Sequence, residues 1–340
     1  MKKTIGVLLL AWALSSPALA QIPAKCKFVD ATVPITTSGY WCLRANVVGR
    51  GIVIDASDVV LDLKGYSIIN DGTATEPVGP RGQVIGVFSQ SDNNLTVRNG
   101  IIRGFDYGVH LGYPNGVQGT LLVEKLFIQG SRERGISVLG FHNIHILDNV
   151  VTGTTNGQSA LGIHVNGYTD PNNNYANVSV VNISGNRVHD TEGGTAVAGI
   201  SVSEASSITI ENNVVTDVYT SARISYSATG IIAHQRLPYT AALRNNTVIN
   251  TYASEKTLGI VVGHGSGTPA FTGTVDASLG LVTGSRIQGL ARGVSAISQQ
   301  LINGVWTPVV SYAYTNNVVS GASGTAYEGG LMASRSNRIE

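Results

Sequence analysis

The chain has 340 residues, 43% of them apolar and only 13% charged, with a formal net charge of +1. So even a balance gives no support for a nucleic-acid partner. A length that ordinarily suggests two domains fits a single one if a repeat runs through it. Gly accounts for 41 residues, and Val, Ile, Thr, Ser and Asn dominate the rest. β-Branched residues favour pleated strands while Gly and Asn supply bends, so helix is a minor component at best.

In chain order, Lys2 and Lys3 precede an apolar run from Ile5 to Leu14 and a close at Ala18-Leu-Ala20. This pattern reads as a secretory signal peptide over residues 1–20. The run is too short to cross a bilayer, and no later segment reads as a membrane span. The mature chain then starts near Gln21 with 20 basic and 21 acidic residues, a net charge of −1. The compartment implied is the periplasm or the medium around a bacterium. Residues 21–50 read as an N-terminal cap that holds both cysteines, Cys26 and Cys42. In an oxidising compartment these form one disulfide, whereas two isolated cysteines make a poor metal site.

Over 51–340 one template recurs: apolar, any, apolar, any, a turn residue, two further residues, then Val or Ile. Copies occur at Leu61/Leu63/Gly65/Ile68, Leu95/Val97/Asn99/Ile102, Leu121/Val123/Lys125/Ile128 and Ile144/Ile146/Asp148/Val151. They continue at Val181/Ile183/Gly185/Val188, Ile208/Ile210/Asn212/Val215 and Ala241/Leu243/Asn245/Val248. Weaker copies lie at Gly280/Val282/Gly284/Ile287 and Tyr312/Tyr314/Asn316/Val319. A companion segment, Gly followed by apolar–any–apolar, starts at Gly86, Gly108, Gly135, Gly162, Gly199, Gly230, Gly259 and Gly293.

Period-two alternation marks short half-buried strands, and variable spacing between constant strands marks side loops on a solenoid. The pattern predicts an all-β, single-stranded, right-handed parallel β-helix of about nine coils, stacked about 4.8 Å apart. An antiparallel sandwich would explain the alternation but not one two-strand template recurring in constant order. Asn at the bend suits left-handed backbone geometry and can form an amide ladder.

The segments Pro34–Leu43, Gly51–Ile68 and Leu95–Gly104 resemble the opening coils of bacterial right-handed parallel β-helix repeat proteins. That pectate-lyase-like group includes NosD-type periplasmic proteins, polysaccharide lyases, hydrolases and uronate epimerases. The resemblance implies the fold and a carbohydrate-related role. The Asp-Pro-His segment of mannuronan epimerases, the paired aspartates of polygalacturonases and Gly-Gly-x-Gly-x-Asp calcium repeats are missing, so it transfers no catalytic residue.

The middle residues of the Gly-led triplets, Phe88, His110, Ser137, His164, Ser201, Ile232, Val261 and Ser295, should face outward and floor a groove walled by loops. The densest ionisable residues fall in the middle coils. His164 or His234 could serve as a base beside Arg223 or Arg236 in a uronate lyase. Asp190 or Glu192, with Asp217 or Glu204, could supply the carboxyl pair of a hydrolase. Arg132, Arg134, Tyr168, Glu204, Asp217, Tyr226 and Arg236 are candidate substrate contacts. His142 and His145 make only a weak exposed copper or zinc pair, so no metal site is assigned; a calcium requirement stays open. The reading favours an exported, monomeric protein with a polysaccharide partner, either a lyase or a hydrolase of an acidic glycan. Its rivals are a non-catalytic carbohydrate-binding or surface-interaction β-helix and a periplasmic metal-handling accessory protein.

Overall fold

The computed structural model describes residues 25–90, 93–113, 119–167, 179–221, 228–249 and 257–264, and short strands between Ser278 and Ile339. Side chains are described as far as Val261, except at 206, 234–240 and 257. Arg223, Tyr168 and Tyr226 lie outside the described residues. So do the side chains of His234 and Arg236.

The described chain is all strand and turn, wound into a parallel β-helix with three strands per coil. All nine template copies stack in register: Ile68, Ile102, Ile128, Val151, Val188, Val215, Val248, Ile287 and Val319 pair successively. Val47–Val48 precedes this row and Arg338–Ile339 follows it. The triplet strands form another row, in which Val87, Val109, Ile136, Ile163, Ile200, Ile231 and Ile260 are successive partners. Their side chains, with those of the template strands as far as Val248, make one continuous apolar column, because no single coil can bury its own inward residues. One antiparallel pair, Gln299–Ile302 with Val305–Pro308, forms a hairpin outside the large parallel sheet.

At the bend the sequence assigned two tasks to one residue, and the structure divides them. The left-handed conformation belongs to Asp148, Asn212 and Asn245, with φ between 54° and 57° or, at Asn245, 52°. The buried amide ladder belongs to the next position. Asn149 donates from its backbone and side-chain nitrogens to Asn186 Oδ1, at 2.9 and 3.0 Å. Asn186 does the same to Asn213, and Asn213 to Asn246. Each side chain also donates back to the carbonyl of the previous coil, from Val123, Ile146, Ile183 and Ile210 in turn. The amides are fully buried yet paired, which removes the penalty an orphaned polar group would carry.

The triplet glycines have a steric cause. A β-carbon on Gly162 would fall 2.4 Å from Val188 Cγ1 and 2.7 Å from the Gly199 carbonyl oxygen. Gly108, Gly135, Gly199 and Gly230 face the same two neighbours, the template Val or Ile and the next glycine's carbonyl. At the other end of the chain, Cys26 and Cys42 are bonded, with Cα atoms 5.9 Å apart. Lys27–Phe28 and Gly39–Cys42 stack on Val59–Asp62. There Asp62, almost wholly buried, accepts from Tyr40, Arg98, Asn99 and the Lys64 amide. Burial alone would raise this carboxyl's pKa; the hydrogen bonds from Lys64, Tyr40 and Asn99 outweigh it and hold it below the usual range.

The close packing gives a direct expectation. Gly162→Ala lowers the thermal midpoint by the equivalent of about 1–3 kcal/mol. Gly157→Ala, where nothing lies within 4 Å of the added carbon, shifts stability by no more than about 0.5 kcal/mol. Melts followed by far-ultraviolet circular dichroism compare the two; equal losses would contradict the steric account.

Candidate active site

The outward face of the triplet row was expected to be solvated, and over two coils it is not. Phe88, His110, Ser137, His164 and Ser201 are successive register partners. His110 is only 4% exposed and Ser137 0%, because side chains from the same row fold over them. Phe88 stacks flat on His110 with ring centroids 5.9 Å apart, and Tyr107 leans on the other side at 5.2 Å. Arg134 Nη1 donates to Ser137 Oγ at 3.3 Å, and the guanidinium lies 5.3 Å from the Tyr107 ring centroid.

Above this floor lies a cleft of about 320 Å³. Tyr107, His110, Arg134, His164 and Asn166 line it from the coils, and Arg81 and Tyr113 from the loops. Arg81 is presented by a tight turn in which Gly82 N–H donates to the Gly79 carbonyl and Arg81 N–H to Gln83 Oε1. Among the described residues the lining contains two arginines, two histidines and no carboxyl group. Glu133 stands behind it: its Oε1 accepts from Tyr107 Oη at 2.7 Å and lies 3.9 Å from Arg134 Nε.

Three polar atoms of the cleft, His110 Nδ1, His164 Nδ1 and Arg134 Nε, are shielded from solvent without a hydrogen-bond partner. Burial, reinforced by Arg134, holds His110 down to about 4. Burial, with Arg134 and His110, holds His164 down to about 3. Both rings are therefore neutral at ordinary pH. Burial also pushes the Tyr107 phenol above its ordinary range; Arg134 opposes this and Glu133 adds to it, so the phenol keeps its proton.

Of the residues singled out from sequence, His164 and Arg134 meet in this cleft. The others that can be placed lie elsewhere. Arg132 is paired with Asp106 at 2.6 Å and is largely exposed. Asp190 receives His189 Nδ1 at 2.9 Å, a nitrogen that also meets Thr152 Oγ1 at 3.0 Å. Glu192 accepts from Tyr219 at 3.1 Å. Asp190 and Asp217, one coil apart, take the left-handed conformation with φ 55° inside the strands Arg187–Gly193 and Val214–Thr220. Glu204, at φ 58°, sits where the strand Ala196–Glu211 shifts register. Among the described residues no group of three or more His, Cys, Asp or Glu could hold a metal ion, and His142 and His145 acquire no third ligand.

The residues that the sequence reading passed over are Tyr107, Arg81 and Tyr113; His110 was placed on the groove floor without a role in the site. A signal for Tyr107 exists: it precedes its triplet glycine just as Arg134 does, and the two are register partners. Arg81 depends on its turn and carries no such signal.

No family model matches the chain, and no curated protein does. Three solved structures are similar to it. The A-module of the mannuronan C-5 epimerase AlgE6 from Azotobacter vinelandii is 14% identical, over 92% of this chain and 87% of that one, with a TM-score of 0.48. The catalytic domain of a GH87 α-1,3-glucanase is 13% identical, over 96% and 70%, with a TM-score of 0.38. A DFA-IIIase from Arthrobacter chlorophenolicus is 13% identical, over 86% and 74%, with a TM-score of 0.35. At these values the likeness carries no argument about chemistry. What fold and site define together is a parallel β-helix protein with a cationic, two-histidine cleft on its triplet face.

The depressed histidines make stability depend on pH in a definite sense. An unfolded histidine titrates near 6.5, so between that value and the folded values of about 4 and about 3 the unfolded chain binds more protons. Their contribution is complete above about pH 6.5 and is lost progressively as pH falls through that window. Urea midpoints between pH 7 and pH 4 should fall in the wild type and fall less in His110→Gln and His164→Gln. Ring resonances titrating near the ordinary histidine value would contradict the burial.

Proposed function

We propose that this protein is exported and binds an acidic polysaccharide in the triplet-face cleft, cleaving it by β-elimination. The observation that carries the reading is a cleft lined by two guanidinium groups and, among the described residues, by no carboxyl, together with three shielded polar atoms that make no hydrogen bond. A bound uronate carboxylate would satisfy Arg134 Nε and one imidazole N–H, and its charge would be offset by Arg134 and Arg81. The leader sequence and the Cys26–Cys42 bond support export.

In this mechanism His164 is neutral before substrate enters, gains basicity from the negative charge of the bound carboxylate, and takes the proton from the carbon beside it. Negative charge spreads onto the carboxylate, where Arg134 stabilises it. The carbon–oxygen bond to the departing sugar breaks, a carbon–carbon double bond forms, and the Tyr107 phenol supplies the proton to the leaving oxygen. The imidazolium and the phenolate then exchange protons with solvent and return to the resting state. Phe88 and Tyr113 offer aromatic surface for flanking sugar rings. Hydrolysis of the usual kind requires two carboxyl groups at the bond to be cleaved, and none is found among the described residues that line this cleft.

Incubation of the purified protein with polyuronates and neutral glycans is the test. Ultraviolet-absorbing unsaturated product from a polyuronate supports the reading. His164→Ala and Arg134→Gln should each lower kcat by about 10²–10⁴-fold without loss of fold. New reducing ends without ultraviolet absorbance would replace elimination by hydrolysis. Saturable binding of a polyuronate without turnover would make this a carbohydrate-binding β-helix.

A further inference from the structure

The Tyr107 phenol is the acid in the elimination reading, and something has to fix where its hydroxyl points. We infer that Glu133 is a positioning residue that aims the Tyr107 hydroxyl, an inference that rests on the elimination reading. Glu133 does not line the cleft, so it acts through Tyr107 and not on substrate. Its backbone is clamped by both neighbouring coils: its N–H donates to the Asp106 carbonyl at 2.9 Å, and its carbonyl accepts from Leu161 at 3.0 Å. A carboxylate on so fixed a backbone is a precise acceptor, and Tyr107 reaches it at 2.7 Å.

The phenol ring is held at its face as well as at its tip. Arg134 covers the face, 5.3 Å from the ring centroid, and His110 packs beside it at 5.2 Å. The charged or titratable groups facing Tyr107 are thus Glu133, Arg134, His110 and, from the loop wall, Arg81. Among the described residues only Glu133 accepts a hydrogen bond from the phenol. In the free protein the hydroxyl is parked on Glu133. When the leaving oxygen gains charge in the cleft, the same hydroxyl needs only to rotate about its carbon–oxygen bond to donate there, with the ring still in place. Glu133 therefore sets the starting direction of the proton, and Arg134 keeps the ring from turning with it.

The experiment compares kcat and KM for wild type, Glu133→Ala, Glu133→Gln, Tyr107→Phe and Tyr107→Phe/Glu133→Ala on the polyuronate that wild type cleaves. Glu133→Ala should lower kcat about 10–10²-fold with KM within about twofold. Glu133→Gln, which keeps an acceptor oxygen, should recover much of that loss. In the Tyr107→Phe background Glu133→Ala should cost nothing further, since its effect passes through the phenol. An equal loss in both backgrounds, an effect confined to KM, or no effect at all overturns the inference while wild-type turnover preserves the elimination reading. Absence of unsaturated product from wild type overturns both.

Discussion

The distance between coils is the constraint on which the rest of the molecule depends. The template Val or Ile of one coil is pressed so close to the triplet glycine beside it that no β-carbon fits between them, from Gly108 through Gly230. That contact fixes how the triplet strand of one coil lies over the next, and with it the register of the row. A residue with a side chain there would push the strand outward and separate Ile136, Ile163 and Ile200, which bury one another only when stacked.

The cleft inherits its order from this stacking. His110, Ser137 and His164 follow one another because their strands are register partners, not because a loop brings them together. A scaffold of packed strands holds chemical groups more rigidly than loops do, and side chains can then be buried on an outer face without joining the core. Arg134 shows the economy of the arrangement. One side chain touches Ser137, covers Tyr107, and helps to keep both histidines neutral.

The architecture was legible in the sequence because alternation and a repeated glycine are local signals; Ile163, Ile200 and Ile231 could be placed in one column before any coordinates existed. At the bend, the pair Asn212-Asn213 looks like one feature in a linear reading. Only geometry separates the left-handed residue from the one that builds the ladder. The candidate site was half legible. His164 was readable from its triplet, and Arg134 from its place just before the glycine. Tyr107 shares the place of Arg134 before a triplet glycine, but Glu133 acts through a contact between coils some 26 residues apart, and Arg81 depends on a turn, so neither strand period nor residue spacing reveals these last two. The emphasis on the middle coils came from counting ionisable residues, and that count gives no weight to burial. Burial is what distinguishes His110 from an exposed histidine such as His142.

The amide ladder also bears on how such a molecule can change in length. Each asparagine draws its ladder partners from the coils on either side, in the same pattern at Asn149, Asn186 and Asn213. A whole asparagine-bearing turn of the solenoid could be duplicated or excised between two of them and every amide would still find a mate. Removing a fraction of a turn would strand several at once. Growth and shrinkage of this protein are thus quantised in complete turns, while its loops are free to drift residue by residue.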